Sequence, residues 1–184
     1  MPTAPDGMHF EDRNEWKRYM MENFYSFRRR QGESLAKQPG TIDGQPFELE
    51  ALSDCEVLLL DHMDQTQVDE LQNCRVFIGA ASASVYVRQC RNCVFTVACQ
   101  QLRVLESHGC TFYLLSKTDP SIEHSDGLAF APFNGEYPEH GQHLTAAGLD
   151  LNENRWSSIY DWNDPDKTGV HWRILPEEER SGPW

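Results

Sequence analysis

Basic side chains are scarce in this 184-residue sequence, which has 16 Lys and Arg against 29 Asp and Glu. The resulting net charge of −13 argues against a protein that binds the phosphate backbone of nucleic acids. Apolar runs are short, as at 57–60 and 128–132, and none approaches the ~20 residues that span a bilayer. The first seven residues lack the basic-then-apolar pattern of a signal peptide. These features predict a soluble, cytoplasmic protein with one main domain.

Charge is distributed unevenly along the chain. Residues 1–40 carry seven basic and six acidic side chains, whereas the remainder carries nine and twenty-three. A Pro-Gly turn at the change marks a boundary. We therefore predict an N-terminal helical extension over 1–40, a main domain over 41–180 and an exposed tail over 181–184.

The extension has apolar residues at helical spacing: Trp16, Met20, Phe24 and Phe27. This spacing predicts an amphipathic helix over 9–30 that ends in three consecutive arginines, which the helix dipole favours.

The six cysteines lie at positions 55, 74, 90, 93, 99 and 110. Without a signal peptide, reduced thiols are favoured over disulfides. Cys90 and Cys93 form a CxxC pair, but no second pair follows at the interval that a structural zinc site requires. A redox CxxC would open a helix, whereas this one precedes a strand-like run. We expect no metal and a structural role for the cysteines.

Four of these cysteines belong to an internal repeat. The repeated phrase is a turn residue, then Cys, then a β-branched or aromatic run, and it begins at Asp54, Asn73, Asn92 and Gly109. Further strand-like pieces, such as 84–88 and 102–106, lie between the phrases, and no helical period is present from 41 to 118.

A repeat of about 19 residues with several short strands is typical of a solenoid. The Leu-rich consensus is missing, so the prediction is a mainly β fold, a parallel β-helix with one coil per repeat. The cysteines would form an inward ladder, since Cys is small and readily buried. An irregular C-terminal cap is expected from about residue 119, with a short helix over 141–147.

Side-chain alternation singles out one arginine in the third coil. The inward positions of this coil end at Cys99, and a corner between Gln100 and Leu102 would reset the alternation. Arg103 would then point outward while its apolar neighbours point inward, which avoids burying a charge. We expect Gln100 and Arg103 to emerge side by side, so that the amide holds the guanidinium.

The segment around this arginine resembles the signature of the tubulin-binding cofactor C domain family; it reads Ala98-Cys-Gln-Gln-Leu-Arg103. That family includes GTPase-activating proteins of Arf-like GTPases. Further matching motifs follow in order at 122–123, 130–133, 137–138, 147–149, 154–157, 161–162 and 172–180. The resemblance covers residues 41–180 and implies a right-handed parallel β-helix, in agreement with the repeat.

The resemblance also implies a mechanism. Arg103 matches the family's arginine finger, which is supplied to a partner GTPase, and Gln100 is its neighbour. Glu123 and Trp162 match positions near the finger or at the partner interface. The implied partner is tubulin, at the GTP site of β-tubulin, together with other folding cofactors in the post-chaperonin pathway.

Other functions remain open at this stage. An Arf-like GTPase is the alternative partner for the same chemistry, and a binding scaffold without catalysis is a second alternative. A carbohydrate-active β-helix would need paired carboxylates on one face, whereas the acidic residues of the repeat lie mainly at turns. No cofactor is expected. The absence of a Met-Gly-Cys start predicts that there is no membrane anchor.

Overall fold

The computed structural model describes residues 1–182. It has two α-helices, α1 (Arg13–Phe24) and α2 (His140–Ala146), and a 3₁₀ helix at Glu177–Glu179. The strands are β1 (Ser26–Gln31), β2 (Ser34–Lys37), β3 (Phe47–Ser53), β4 (Glu56–Met63), β5 (Thr66–Asp69), β6 (Arg75–Arg88), β7 (Val94–Leu105), β8 (Thr111–Ser116), β9 (Ser121–Glu123), β10 (Leu128–Pro132), β11 (Tyr160–Asp161) and β12 (Trp172–Ile174).

These strands form a β-solenoid of about six turns in which every strand pairing among the named strands is parallel. One wall, here called the cysteine-side sheet, stacks β2, β4, the first half of β6, the first half of β7, β8, β10 and β12. The other wall, the arginine-side sheet, stacks β1, β3, β5, the second halves of β6 and β7, β9 and β11. The predicted parallel β-helix is confirmed.

Turns from the arginine-side sheet to the cysteine-side sheet require left-handed backbone. Asp54, Asn73 and Asn92 have φ of 52°, 52° and 53°, and Gly109 has φ of 68°. Asp and Asn tolerate this region better than other residues with a side chain, and Gly adopts it freely. The turn residue that opens each repeat phrase is therefore required by the coil geometry.

The core lies between the two sheets and repeats from coil to coil. One inner row is formed by residues paired in register along the cysteine-side sheet: Leu35, Val57, Val76, Phe95, Phe112 and Phe130. All six are buried. The Phe112 ring stacks on Phe95 at 5.1 Å and on Phe130 at 5.3 Å between centroids, with interplanar angles of 9° and 17°. The parallel register places the rings in this stack because adjacent strands lie about 4.8 Å apart.

The repeat cysteines form a second inner row. The residues that follow them pair in register from coil to coil, so the four cysteines occupy equivalent places: Cys55, Cys74, Cys93 and Cys110. All six cysteines of the chain are buried and have free thiols. A hydrogen bond with Cys110, together with burial, raises the pKa of Cys93 to about 12. Burial also raises the pKa of its CxxC partner, so both remain protonated at neutral pH. This is opposite to the lowered pKa of a redox-active CxxC.

The N-terminal helix is shorter than the spacing predicts. The chain leaves the helix at Phe24, and residues 26–37 instead form strands β1 and β2, which pair with β3 and β4. Phe27 therefore packs against Phe47, with ring centroids 5.6 Å apart, rather than on a helix face. Arg28 makes a salt bridge with Glu48 on the adjacent strand. The helix prediction over 9–30 was therefore wrong at 9–12 and at 25–30, and the second error arises because pairing with β3 satisfies the backbone of 26–31 as a strand.

The solenoid also continues past residue 119, where irregular structure was expected. Strands β9 and β10 complete another coil, in which Gly127 occupies the turn position and Leu128 stands where the earlier coils have a cysteine. The cap follows, and its helix α2 lies within one residue of the predicted range. α2 packs on β4 and β6, where the Nε2–H of His140 donates a hydrogen bond to Gly79 O at 2.9 Å. Of the predicted tail, residues 183–184 lie outside the described residues, and 181–182 are exposed.

Candidate functional site

Arg103 lies on the second half of β7, where the strand has passed from one sheet to the other. Residues up to Cys99 pair with β8, whereas Arg103 pairs with Ser121 of β9. The neighbours Leu102 and Val104 are buried, and Arg103 is exposed. The corner therefore resets the alternation as predicted, and the arginine points outward from a continuous sheet.

The guanidinium of Arg103 lies over an aromatic ring. Tyr86, directly opposite in register on β6, places its ring centroid 5.9 Å from Arg103 Cζ. Within residues 1–182, the Arg103 guanidinium forms no ion pair and no hydrogen bond with a side chain. Its five N–H donors are therefore open to an incoming acceptor.

Arg88, on the neighbouring coil of the same sheet, is arranged differently. Its Nε lies 2.6 Å from Asp69 Oδ1 and its Nη2 3.1 Å from Asp69 Oδ2. The hydrogen bond to Asp69 raises the pKa of Arg88 above its usual range. A bidentate pair of this kind engages the donors that a phosphate would need.

Gln100 lies at the corner itself, before the chain joins the arginine-side sheet. The backbone carbonyl oxygen of Gln100 accepts hydrogen bonds from the backbone N–H and the side-chain hydroxyl of Thr118, each at 3.1 Å. In the described part of the chain, no hydrogen bond joins its amide to Arg103. The expected hydrogen bond between Gln100 and the arginine is thus missing, and Gln100 lies at the corner, three residues before Arg103 on the arginine-side sheet.

Sequence reasoning missed Tyr86, although the repeat contains a signal for it. Val85-Tyr-Val and Leu102-Arg-Val occupy the same place in consecutive coils. Aligning the strand pieces between the cysteine phrases, as well as the phrases themselves, would have placed Tyr86 beside Arg103.

Glu123 lies on the same outer surface as Arg103. It ends β9, two residues after Ser121, with buried Ile122 between them, so both flanking side chains point outward. Its carboxylate is half-exposed and lies 3.9 Å from His124 Nε2.

Trp162 continues this surface directly after the next strand, β11. Tyr160 of β11 lies opposite Ser121, and the N–H of Trp162 donates to Ile122 O at 3.0 Å. The rings of Tyr160 and Trp162 meet edge to face at 4.8 Å and are 50% and 61% exposed. The structure thus brings Arg103, Glu123 and Trp162 onto one outer surface, here called the arginine-side face, with Gln100 at its edge.

A network of polar contacts holds the segment around Trp162. Asp161, whose side chain is buried, lies 2.5 Å from His171 Nδ1. The hydrogen bond with Asp161 raises the pKa of His171, and the nearby Asp164 and Asp126 act in the same direction. Asp164 in turn accepts hydrogen bonds from the backbone N–H groups of Thr168 and Gly169, at 3.0 and 2.7 Å. The loop after Trp162 is therefore tied back to its own strand.

The unpaired guanidinium of Arg103 is suited to binding phosphate oxygens. A planar guanidinium can contact two oxygens of a phosphate at once and neutralise negative charge on them. Across residues 1–182, no group of three or more His, Cys, Asp or Glu side chains is arranged to hold a metal ion. The same residues contain no helix of the length and hydropathy needed to cross a bilayer.

A family model described as "Tubulin binding cofactor C" matches residues 44–162, a range that contains Gln100, Arg103, Glu123 and Trp162. The chain belongs to the tubulin binding cofactor C family. Human "Tubulin-specific chaperone C" is 32% identical over 152 residues, which are 82% of this chain and 44% of that protein. "Tubulin-folding cofactor C" of Arabidopsis thaliana is 32% identical over 156 residues, covering 83% of this chain and 45% of the relative. Human "Protein XRP2" is 35% identical over 154 residues, covering 84% and 44% respectively.

The chain therefore spans less than half the length of these curated relatives of the tubulin binding cofactor C family. Among solved structures, "Tubulin Binding Cofactor C from Leishmania major" aligns with a TM-score of 0.55 and 19% identity. That alignment covers 80% of this chain and 89% of the other, and it supports the same fold.

Proposed function

We propose that this chain is a tubulin-folding cofactor that acts as a GTPase-activating protein. It supplies Arg103 in trans to the GTP site of tubulin, in a pathway that uses other folding cofactors. The observation that carries the proposal is the unpaired Arg103 guanidinium on a stiff outer sheet. The names of two relatives, a tubulin-specific chaperone C and a tubulin-folding cofactor C, supply the choice of partner.

The chemistry requires little beyond this arginine. In GTP hydrolysis, negative charge develops on the oxygens around the γ-phosphate, and the transition state is stabilised by positive groups positioned in advance. A guanidinium supplied in trans accelerates known systems by about 10³–10⁵-fold. The outward position of Arg103 and its open donors meet this need without any pocket in the chain itself.

The surrounding face would dock the partner. Tyr160 and Trp162 expose aromatic rings next to β9, on the side of that strand away from Arg103. Glu123 adds a carboxylate at the end of β9. Exposed aromatic residues of this kind are common anchors in protein interfaces. In this arrangement Trp162 and Glu123 contribute binding, and Arg103 contributes rate.

Replacement of Arg103 by Ala tests the proposal. Arg103 is exposed between two buried neighbours, so the fold should be retained. The stimulated rate should fall by about 10³-fold or more, with little change in affinity for the partner. The measurement is single-turnover hydrolysis of GTP by tubulin in the presence of the other folding cofactors, with affinity measured separately.

Arg88→Ala is the matched control, because it removes an arginine of the same sheet that is already paired. It should stimulate like the parent. Gln100→Ala should have a smaller effect than Arg103→Ala, since Gln100 lies at the edge of the face. Stimulation by Arg103→Ala equal to that of the parent would favour the non-catalytic scaffold. The same assay with a GTP-loaded Arf-like GTPase distinguishes the alternative partner.

A further inference from the structure

We infer that Tyr86 is a positioning residue for Arg103, an inference that rests on the proposed function. The two residues are direct partners in the parallel register of β6 and β7, and the guanidinium lies over the ring at 5.9 Å. Within residues 1–182, Arg103 makes no ion pair or side-chain hydrogen bond that would compete with this contact. Tyr86 therefore restricts the directions in which the arginine can extend.

An aromatic ring suits this task better than a carboxylate. The ring attracts the cation through its face, so it does not use the N–H donors at the guanidinium edge. Asp69 shows the alternative one coil away, where a carboxylate binds Arg88 through two donors. An arginine held in that way must break its ion pair before it can bind phosphate. The Tyr86 ring can orient Arg103 while its N–H donors remain available to bind phosphate.

The ring itself is held in place. Tyr86 is half-buried, and its chain neighbours Val85 and Val87 are fully buried in the core. On its other side, Tyr86 pairs in register with Gln67 of β5. The ring thus projects from a strand that is paired on both sides, which fixes the backbone position from which it extends.

The contact can be tested first in the free protein, without any GTPase. Tyr86→Leu removes the ring but keeps an apolar side chain, and Tyr86→Phe keeps the ring but removes the hydroxyl. In the parent and in Tyr86→Phe, the Arg103 Nε–Hε NMR signal should show a ring-current displacement and restricted motion. Both should be lost in Tyr86→Leu, while the thermal unfolding midpoint stays close to that of the parent. An Arg103 signal that is the same in all three proteins would overturn the inference.

The second test measures rate and affinity separately. In single-turnover hydrolysis of GTP by tubulin with the other folding cofactors, Tyr86→Leu should lower the maximal stimulated rate by about two- to fivefold. The concentration giving half-maximal stimulation should not change, and Tyr86→Phe should behave like the parent. This separation distinguishes positioning from a merely structural or docking role.

The remaining outcomes each decide the question. If Tyr86→Phe is as slow as Tyr86→Leu, the hydroxyl acts and the ring does not, which overturns the inference. A change in half-maximal concentration alone would make Tyr86 a docking residue, which also overturns it. If Arg103→Ala abolishes stimulation while Tyr86→Leu matches the parent, the inference fails but the proposed function stands. If Arg103→Ala has no effect, the proposed function fails, and Tyr86 loses its role in the reaction even where the NMR contact is present.

Discussion

The inner row of the cysteine-side sheet and the outer row of the arginine-side sheet pass through the same coils, yet they vary in different ways. The inner row is apolar throughout: Leu35, Val57, Val76, Phe95, Phe112 and Phe130. The outer row changes its chemistry at almost every coil: Glu48, Gln67, Tyr86, Arg103, Ser121 and Tyr160. Inside, each side chain must fit the one above and below it. Outside, that restriction is relaxed, and residues suited to a partner can occupy the same scaffold.

The two rows should therefore respond to mutation in opposite ways. An inner substitution leaves a cavity in a close-packed core, which lowers the free energy of unfolding. An outer substitution leaves packing intact and changes only what the surface presents, with about ±0.5 kcal/mol in stability. The four predictions below test this division, in order of decreasing effect.

Phe112→Ala should have the largest effect. Phe112 is fully buried and stacked between two other rings, so its removal should cost about 3–5 kcal/mol in the free energy of unfolding. Denaturant unfolding measures this value. Thr111→Ala, an adjacent and partly exposed residue of β8, is the control and should cost much less. Equal losses for the two variants would contradict the division between inner and outer rows.

Arg103→Lys should leave the free energy of unfolding nearly unchanged but reduce the stimulated hydrolysis rate by at least about a hundredfold. The charge is retained, but a lysine ammonium cannot contact two phosphate oxygens in a planar bidentate arrangement. Single-turnover GTP hydrolysis is the measurement. Arg88→Lys is the matched control and should stimulate like the parent. Full stimulation by Arg103→Lys would show that charge alone is sufficient.

Trp162→Ala should weaken binding of the GTPase partner by about tenfold, the order expected for an aromatic anchor in an interface. Its melting temperature should stay near that of the parent because the side chain is 61% exposed. Leu151→Ala, at a comparably exposed apolar residue in the loop after α2, should bind normally. Titration calorimetry or a pull-down measures the affinity. A large fall in melting temperature would instead place Trp162 among the residues that support the fold.

His171→Gln should have the smallest effect, and one that depends on pH. Asp161 raises the pKa of His171 in the folded protein above the unfolded value of about 6.5. The ion pair therefore stabilises the fold fully below about pH 6.5, and this contribution is lost as the pH rises through the raised folded pKa. Thermal unfolding of parent and variant should differ more at acidic than at alkaline pH. A difference that is constant with pH would exclude this linkage.

The repeat made the middle of the fold predictable. The phrase with Cys55, Cys74, Cys93 and Cys110 identifies the coil, because the same small, buried residue recurs after the same tight turn in four consecutive coils. The same reasoning predicted that Arg103 points outward, since a charge next to Leu102 and Val104 is stable only if the corner resets the alternation.

The ends were less predictable because the coils there use different residues. Around residue 33 and around residue 126, the turn before the cysteine-side strand is made without cysteine, so the repeat is not visible. Phe24 and Phe27 have helical spacing in the sequence, but the pairing of β1 with β3 outweighs it. Such pairing depends on residues about 20 positions away, which a local pattern cannot reveal.

The outward position of Arg103 was predictable from the sequence, but its contacts were not. Alternation and family resemblance located Arg103, whereas the neighbour across the strand, Tyr86, follows only from the register. Gln100 is close in sequence but leaves the coil at the corner. In a solenoid, the spatial neighbour of an outer residue lies one coil away and not three residues away.

The coil spacing also favours a particular order of folding. The strand pairings of the middle coils join residues 17 to 19 positions apart, such as Arg75 with Val94 and Val94 with Thr111. Contacts of the cap span much longer distances: 61 positions from Gly79 to His140, and 68 from Tyr113 to Ser181. Because closing a longer loop costs more entropy, each coil can add to the previous one during synthesis, while the cap closes last. We therefore expect the face that carries Arg103 to be largely assembled before the segment bearing Trp162 completes it.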